Sequence, residues 1–390
     1  MSCTSNSCTP CATRAGVPER PAPLVLQAPA DGGGEPFGPY SAVAEHGRRL
    51  LVAELSQRLG RAGAAVTPLP EAEAPFHWGR WFTGAARTAL AASPTLKTIG
   101  YVGPGAIALL PDEALDALLA PAAHEVVANN RFSADAFTVA GDRDALRRAL
   151  AVLEECDSDN AAPRHLETAG FAVRDLSTAP WSRFDVDTPL DLALLRLATR
   201  LPGLRSLEPS LAGWLEMTRL PGDRPFVVPH LETIGNVMRD RHAELVVAGR
   251  VPVATWQELE TETACRVRVF IEERGMRSAR GERPRSLLAV LLAGSSPAEL
   301  IAELVRLGDA VVLDTRVLMA AMAGSPEEAR WPPAEERFAS DFGDADRIAT
   351  PWLRELTQAA ATASVPILFG SHTLVSDGLR LILAAAWLGR

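Results

Sequence analysis

The residues best suited to chemistry in this 390-residue chain fall into a few short stretches. Asp185 and Asp187 stand two apart in Phe184-Asp185-Val186-Asp187-Thr188-Pro189. On an extended backbone both side chains point to one face, where paired carboxylates can hold a hard cation such as Mg2+. The same residues also suit a helix start, with Asp187 or Thr188 as N-cap and Pro189 in the first turn. Gly32, Gly33 and Gly34 follow the apolar run 23–27. Glycines there permit positive φ and let backbone N–H groups approach an anion, helped by the dipole of the next helix; taken alone, they read first as a plain surface turn. Arg131, in Asn129-Asn130-Arg131-Phe132-Ser133, could clamp a phosphate or carboxylate, or belong to a solvated turn.

A second set sits at the ends of apolar runs in the other half. In open α/β sheets, ligands collect outside the carboxyl ends of strands. Asp314-Thr315-Arg316 follows Ala310–Leu313, Glu272-Glu273-Arg274-Gly275 follows an alternating run, and Gly370-Ser371-His372-Thr373 follows Val365–Phe369. Asp314 and Glu273 could bind a divalent ion, Arg316 and Arg274 an anion, and His372 could exchange protons near neutral pH. Asp314 and His372 are therefore the candidate catalytic residues. Helix caps and solvated ion pairs would explain the same residues. Asp341, Asp344 and Asp346 form an acidic stretch nearby.

Composition removes several alternatives. The net charge is −9, which argues against nucleic acid as a partner, because phosphate neutralisation needs a basic surface. Lys97 is the sole lysine among 39 basic residues and lies outside any glycine-rich loop, so Walker A chemistry is excluded. The absence of a G-x-S-x-G elbow weighs against acyl transfer by a serine nucleophile. Apolar runs such as 379–388 fall short of the roughly 20 residues that cross a bilayer. The polar, cysteine-bearing start lacks the pattern of a secretory signal, so a cytoplasmic protein without a membrane partner is expected. Cys3, Cys8 and Cys11 have a spacing compatible with metal ligands but no fourth ligand nearby, and they suit a flexible tail over 1–22.

The elements that must position these residues alternate strand and helix. Strands are expected at 23–27, 99–103, 125–129, 136–140 and 171–175. Helices are expected at 42–59, 81–92, 111–119, 143–153 and 189–201. After a break at 202–209 the alternation restarts, with strands at 244–248, 265–271, 310–314 and 365–369, and helices at 255–264, 285–293, 296–307 and the C-terminus. Val267, Val269 and Ile271 share one strand face. Such alternation predicts α/β architecture with largely parallel sheets, in two domains over 23–205 and 206–390.

Over residues 23–200 the chain resembles the nucleotidyltransferases that make molybdenum-cofactor dinucleotides or activate phospholactate. The stretch Asp185-Val186-Asp187-Thr188-Pro189-Leu190-Asp191-Leu192 is similar to that family's D-[IV]-[DN]-T-P-x-D-L motif. Ile99–Pro111 lies where the family has an apolar strand and G-D-x-P, but the aspartate is absent at Pro104/Gly105. Leu24–Phe37 lies where the family has its glycine-rich nucleotide loop, without the Arg and Lys of that loop. The resemblance implies a Rossmann-like nucleotidyltransferase fold, Mg2+ at Asp187, a nucleotide or phosphorylated small molecule as partner, and transfer of a nucleotidyl group to a small acceptor. Three functions stay open: that transferase, a non-catalytic nucleotide-binding or scaffold protein, and a phosphoester hydrolase sited in the second half. A homo-oligomer is compatible with each.

Overall fold

The computed structural model describes residues 22–30, 38–72, 75–204, 206–221, 224–226, 230–273, 285–325 and 327–388. Gly32, Gly33, Gly34, Arg274 and the three N-terminal cysteines lie outside the described residues. The first half builds a six-stranded sheet from β1 (Leu24–Gln27), β2 (Ala65–Pro68), β3 (Thr98–Val102), β4 (Glu125–Ala128), β5 (Ala136–Ala140) and β6 (Ala172–Asp175), in the order β2-β1-β3-β5-β4-β6. Its one reversed strand is β5, antiparallel to both β3 and β4, because the short turn 129–135 can join only antiparallel neighbours. Helices α1 (Pro39–Arg61), α2 (Trp78–Ala92) and α3 (Asp112–Leu119) link the like-directed strands β1 to β4, and α4 (Arg143–Glu154) and α5 (Ala162–Thr168) lead from the reversed β5 to β6.

Alternation along the strands divides two apolar layers. Leu24 and Leu26 of β1, with Ile99, Tyr101 and Phe137, pack under Trp78 and Phe82 of α2 and Leu146 and Leu150 of α4. Val25, Val102 and Val127 point the other way, against Leu55 and Leu59 of α1 and Leu115 and Leu118 of α3. Burial on both faces is why these strands read as continuous apolar runs.

The connecting region holds α6 (Pro189–Ala198), α7 (Pro209–Met217), the short pair β7 (Arg219–Leu220) and β8 (Arg224–Pro225), and α8 (Leu231–Arg239). A second sheet follows from β9 (Glu244–Gly249), β10 (Arg266–Ile271), β11 (Ala310–Asp314) and β12 (Ile367–Gly370), all parallel, in the order β10-β9-β11-β12. Its helices are α9 (Val253–Glu262), α10 (Leu287–Ala293), α11 (Pro297–Val305), α12 (Thr315–Ala323), α13 (Ala334–Asp341), α14 (Pro351–Ala361) and α15 (Leu379–Trp387). In β10 Val267, Val269 and Phe270 are half-buried, and Ile271 at the strand end is exposed. The strand stands at the sheet edge, so its alternation marks a partly wet face. No helix among the described residues is long and apolar enough to cross a membrane.

One apolar cluster joins the halves. It runs from Tyr40, Ala44 and Leu51 of α1 through Leu190 and Leu194 of α6 to Val246, Val312 and Leu368 of the second sheet. Gly370 and Gly378 admit this contact: an added Cβ would come within 2.7 Å of Leu190 at Gly370 and 2.9 Å of Leu194 at Gly378.

Candidate functional site

The segment from Asp185 to Asp191 lies where the two halves meet. The Val186 amide donates to the Gly105 carbonyl (3.1 Å), tying the segment to the turn just beyond β3. Gly105 allows this approach: a Cβ there would stand 2.4 Å from the Val186 carbonyl oxygen and 2.7 Å from Asp185 Oδ1. On the other side, the Thr373 hydroxyl donates to the Asp185 carbonyl (3.1 Å), from the chain just beyond β12. The carboxyl edges of both sheets therefore converge on this segment. That is the edge at which open α/β sheets hold ligands, and in both sheets the strand order reverses beside the first strand, β1 or β9.

Thr188, not Asp187, caps α6. Its hydroxyl accepts from the Asp191 amide (3.2 Å), while Asp191 Oδ2 accepts from the Asp187 and Thr188 amides (3.1 and 2.8 Å) and from the Thr188 hydroxyl (2.9 Å). Asp187 is left just outside the helix, its side chain exposed. Of the two readings of this stretch, the structure shows the helix cap, at Thr188.

Asp185 is crowded by like charge. Burial pushes its carboxyl well above the usual carboxylate range, and Asp187, Asp135 and Asp191 push it further, against a hydrogen bond from the Val186 amide (3.0 Å). Burial and then Asp187 raise Asp191 to about 7. Asp159, in the turn after α4, is raised to about 6, chiefly by burial, although the Tyr101 hydroxyl beside it favours the ionised form. Tyr101 is raised in turn by burial and by Asp159. The β4–β5 turn brings Asp135 to the same edge: Asn129 Oδ1 accepts from the Asp135 and Ala136 amides (both 3.0 Å), and its Nδ2 donates to the Ser182 carbonyl (3.0 Å). Among the described residues no group of three or more His, Cys, Asp or Glu is arranged to hold a metal ion.

The Arg131 guanidinium, read from the sequence as an anion clamp or as part of a solvated turn, is held by both carboxylate oxygens of Glu167 on α5 (2.6 Å each) and lies over the Phe132 ring. The N-terminus of α1, which follows the glycine stretch, is already capped. Glu335 of α13 accepts from the Tyr40 amide (3.1 Å), the Ser41 amide (2.8 Å) and the Ser41 hydroxyl (3.1 Å). An internal carboxylate thus satisfies the first free amides of α1, and the Glu335 side chain packs directly against Gly38. Arg48 of α1 donates from Nη1 to the Asp187 carbonyl (3.3 Å), placing a cation beside the carboxylate pair.

In the second half, Asp314 lies within electrostatic reach of His372. Burial opposes ionisation of Asp314, but Arg250 outweighs it, with His372 and Arg316 adding, so its carboxyl lies below the usual range. Arg250 grips it from Nε (2.6 Å) and Nη2 (3.1 Å), and Gly249, at φ +137°, passes so close that a Cβ would lie 2.3 Å from Asp314 Cβ. Arg316 is buried in a two-point pair with Asp341 (2.6 Å each). Glu272 is elsewhere, capping α10 through Ser286 and the Leu288 amide (2.9 and 3.1 Å), and Glu273 beside it is exposed. Asp344 accepts from the Tyr40 hydroxyl (3.1 Å), so the stretch 341–346 is part of the contact between halves. Cys156 and Cys265 are buried thiols far apart in sequence.

Sequence reasoning missed Arg48, Asp159, Tyr101 and Glu335, which are brought in from positions remote in sequence. Asp135 and Thr373 lay in polar stretches that the sequence singled out, at 129–135 and 370–373, without a part being assigned to either.

No protein-family model matches the chain, and none of the curated proteins compared with it matches. Among solved structures it is similar to a Desulfovibrio desulfuricans G20 protein described as a putative nucleotide-diphospho-sugar transferase, at 17% identity, over 47% of this chain and 89% of that one, with a TM-score of 0.33. A likeness of that degree decides neither the fold nor the activity of this chain; its α/β class rests on the two sheets described above.

Proposed function

We propose that the crevice at the carboxyl edge of the first sheet binds a nucleoside triphosphate or related phosphorylated small molecule together with Mg2+, in the manner of a nucleotidyltransferase. The observation that carries this reading is the placement of Asp185 and Asp187: the Asp185–Val186 peptide is bonded to Gly105 just beyond β3 and to Thr373 just beyond β12, so both acids stand where the carboxyl edges of the two sheets converge. Mg2+ commonly takes one or two protein carboxylates and fills its remaining positions with phosphate oxygens and water, so Asp185 and Asp187 fit it without a third protein ligand. Bound there, the ion would neutralise phosphate charge and orient the leaving pyrophosphate. Arg48, beside Asp187, supplies the cation that the glycine stretch lacks and would pair with a phosphate oxygen. Asp159, with its raised proton affinity and its place beside Tyr101, would accept a proton from an acceptor hydroxyl.

Titration of the protein with ATP, GTP, CTP and UTP, with and without MgCl2, while following thermal unfolding, tests this. Binding to the native state raises the midpoint. A rise with one nucleotide that requires Mg2+ supports the proposal; flat responses throughout overturn it.

One observation favours the non-catalytic alternative. Glu335 occupies the amides at the start of α1, the place where a phosphate would otherwise gain from the helix N-terminus. If Glu335→Gln binds nucleotide where the wild-type protein does not, the first half is a closed, internally capped relic of a nucleotide site.

A further inference from the structure

The Asp185–Val186 peptide is held from two sides. The first sheet grips it through Gly105, which accepts from the Val186 amide at 3.1 Å. The second sheet grips it through Thr373, whose hydroxyl donates to the Asp185 carbonyl at 3.1 Å across 188 residues of sequence. Thr373 is buried, and its own position is set by its neighbours. Its amide donates to the Ser371 hydroxyl (3.2 Å), its carbonyl accepts from the Ser376 hydroxyl (3.1 Å), and Gly370 and Gly378 on either side press against Leu190 and Leu194 of α6. The chain at 374–378 makes a wide π turn, with Ser376 at φ −106° and ψ −111°, outside helical values. Such a turn re-aims the residues before it and recurs at functional sites.

From this geometry we infer that Thr373 is a positioning residue for the Asp185 carboxylate, so that the second half completes the cation and nucleotide site of the first. The inference rests on the proposed role of Asp185 and Asp187. The physical reason is direct. A carboxylate two atoms from its backbone can be no better placed than that backbone, and residues 181–187 form no regular strand to hold it. Val186 stands in hydrogen-bond contact with Gly105, in the turn that Arg58 holds through the Ile107 and Leu110 carbonyls, and this fixes the peptide on one side only. Thr373 adds the second fixed point that sets the rotation of the Asp185 peptide. Groups that orient metal ligands from behind typically contribute about 10–100-fold in metal affinity.

The test compares Thr373→Ser with Thr373→Ala, which differ from each other only by the hydroxyl, in the full chain. Binding of Mn2+ alone is read from the loss of the free-ion electron paramagnetic resonance signal, and urea midpoints report folding. The expected result is Mn2+ affinity close to wild type for the serine variant and about tenfold weaker for the alanine variant. Equal affinity in both, with wild-type Mn2+ binding intact, overturns the positioning role while leaving the Asp185–Asp187 reading in place. Absence of Mn2+ binding in the wild-type protein overturns both. If the alanine variant unfolds in the assay buffer, Thr373→Val, which keeps the volume and loses the hydroxyl, takes its place, and the same comparison with serine decides.

Discussion

Asp185 and Asp187 stand two residues apart but in different surroundings, and this assigns them different mutational signatures. Asp187 is exposed outside the α6 cap, so Asp187→Asn is expected to leave the urea midpoint within about 0.5 kcal/mol of wild type and abolish Mg2+-dependent stabilisation by nucleotide. Unchanged stabilisation would reject its ligand role. Arg48→Ala is expected to weaken nucleotide binding while leaving Mn2+ binding intact, because a guanidinium pairs with phosphate oxygens and cannot ligate a cation; calorimetry separates the two. The cap at Thr188 was legible because capping chemistry is local. Arg131 illustrates the limit: its residue type suits an anion clamp, yet Glu167, 36 positions away, turns the guanidinium aside. Nothing near Arg131 in sequence announces that partner.

At the scale of elements, most strands and helices were legible because periodicity and caps are local. Ser296-Pro297-x-Glu299 forms the capping box its spacing predicts, and Thr188 with Asp191 forms another. β2 was missed since three of its four residues are exposed, leaving no apolar run to read. The reversal of β5 follows from turn length, which the alternation of strand and helix does not encode. The α6 cap also carries a pH dependence. Asp191 holds its proton up to about pH 7 in the folded chain, against roughly 3.9 when unfolded. A raised folded value means that stability is fullest below the unfolded value and falls as the pH climbs toward 7; Asp159, at about 6, adds in the same direction. Chemical denaturation from pH 4 to pH 8 is expected to show this decline, less steeply in Asp159→Asn. A rising profile over that range would contradict the burial assigned to these groups.

At the scale of the whole molecule, the apolar cluster running from α1 through α6 into the second sheet argues that the two sheets unfold together, although sequence alternation divides the chain into two halves near residue 205. The contact is reinforced by polar bonds: Glu335 on the start of α1, Asp344 on Tyr40, and Thr373 on Asp185. Differential scanning calorimetry is therefore expected to give one transition whose calorimetric and van't Hoff enthalpies agree. The buried Arg316–Asp341 pair makes this prediction sharper, because it belongs to the second half alone. Removing one partner leaves an uncompensated buried charge at a cost of about 3–5 kcal/mol, whereas replacing both by apolar residues is close to neutral. If the halves are coupled, Arg316→Met lowers the single transition as a whole, including protection of β1 and β3 amides in hydrogen exchange, and Arg316→Met with Asp341→Leu restores it. Should Arg316→Met split the transition and leave β1 and β3 protected, the halves would be independent units, and a site shared between their edges would have no rigid frame to hold it.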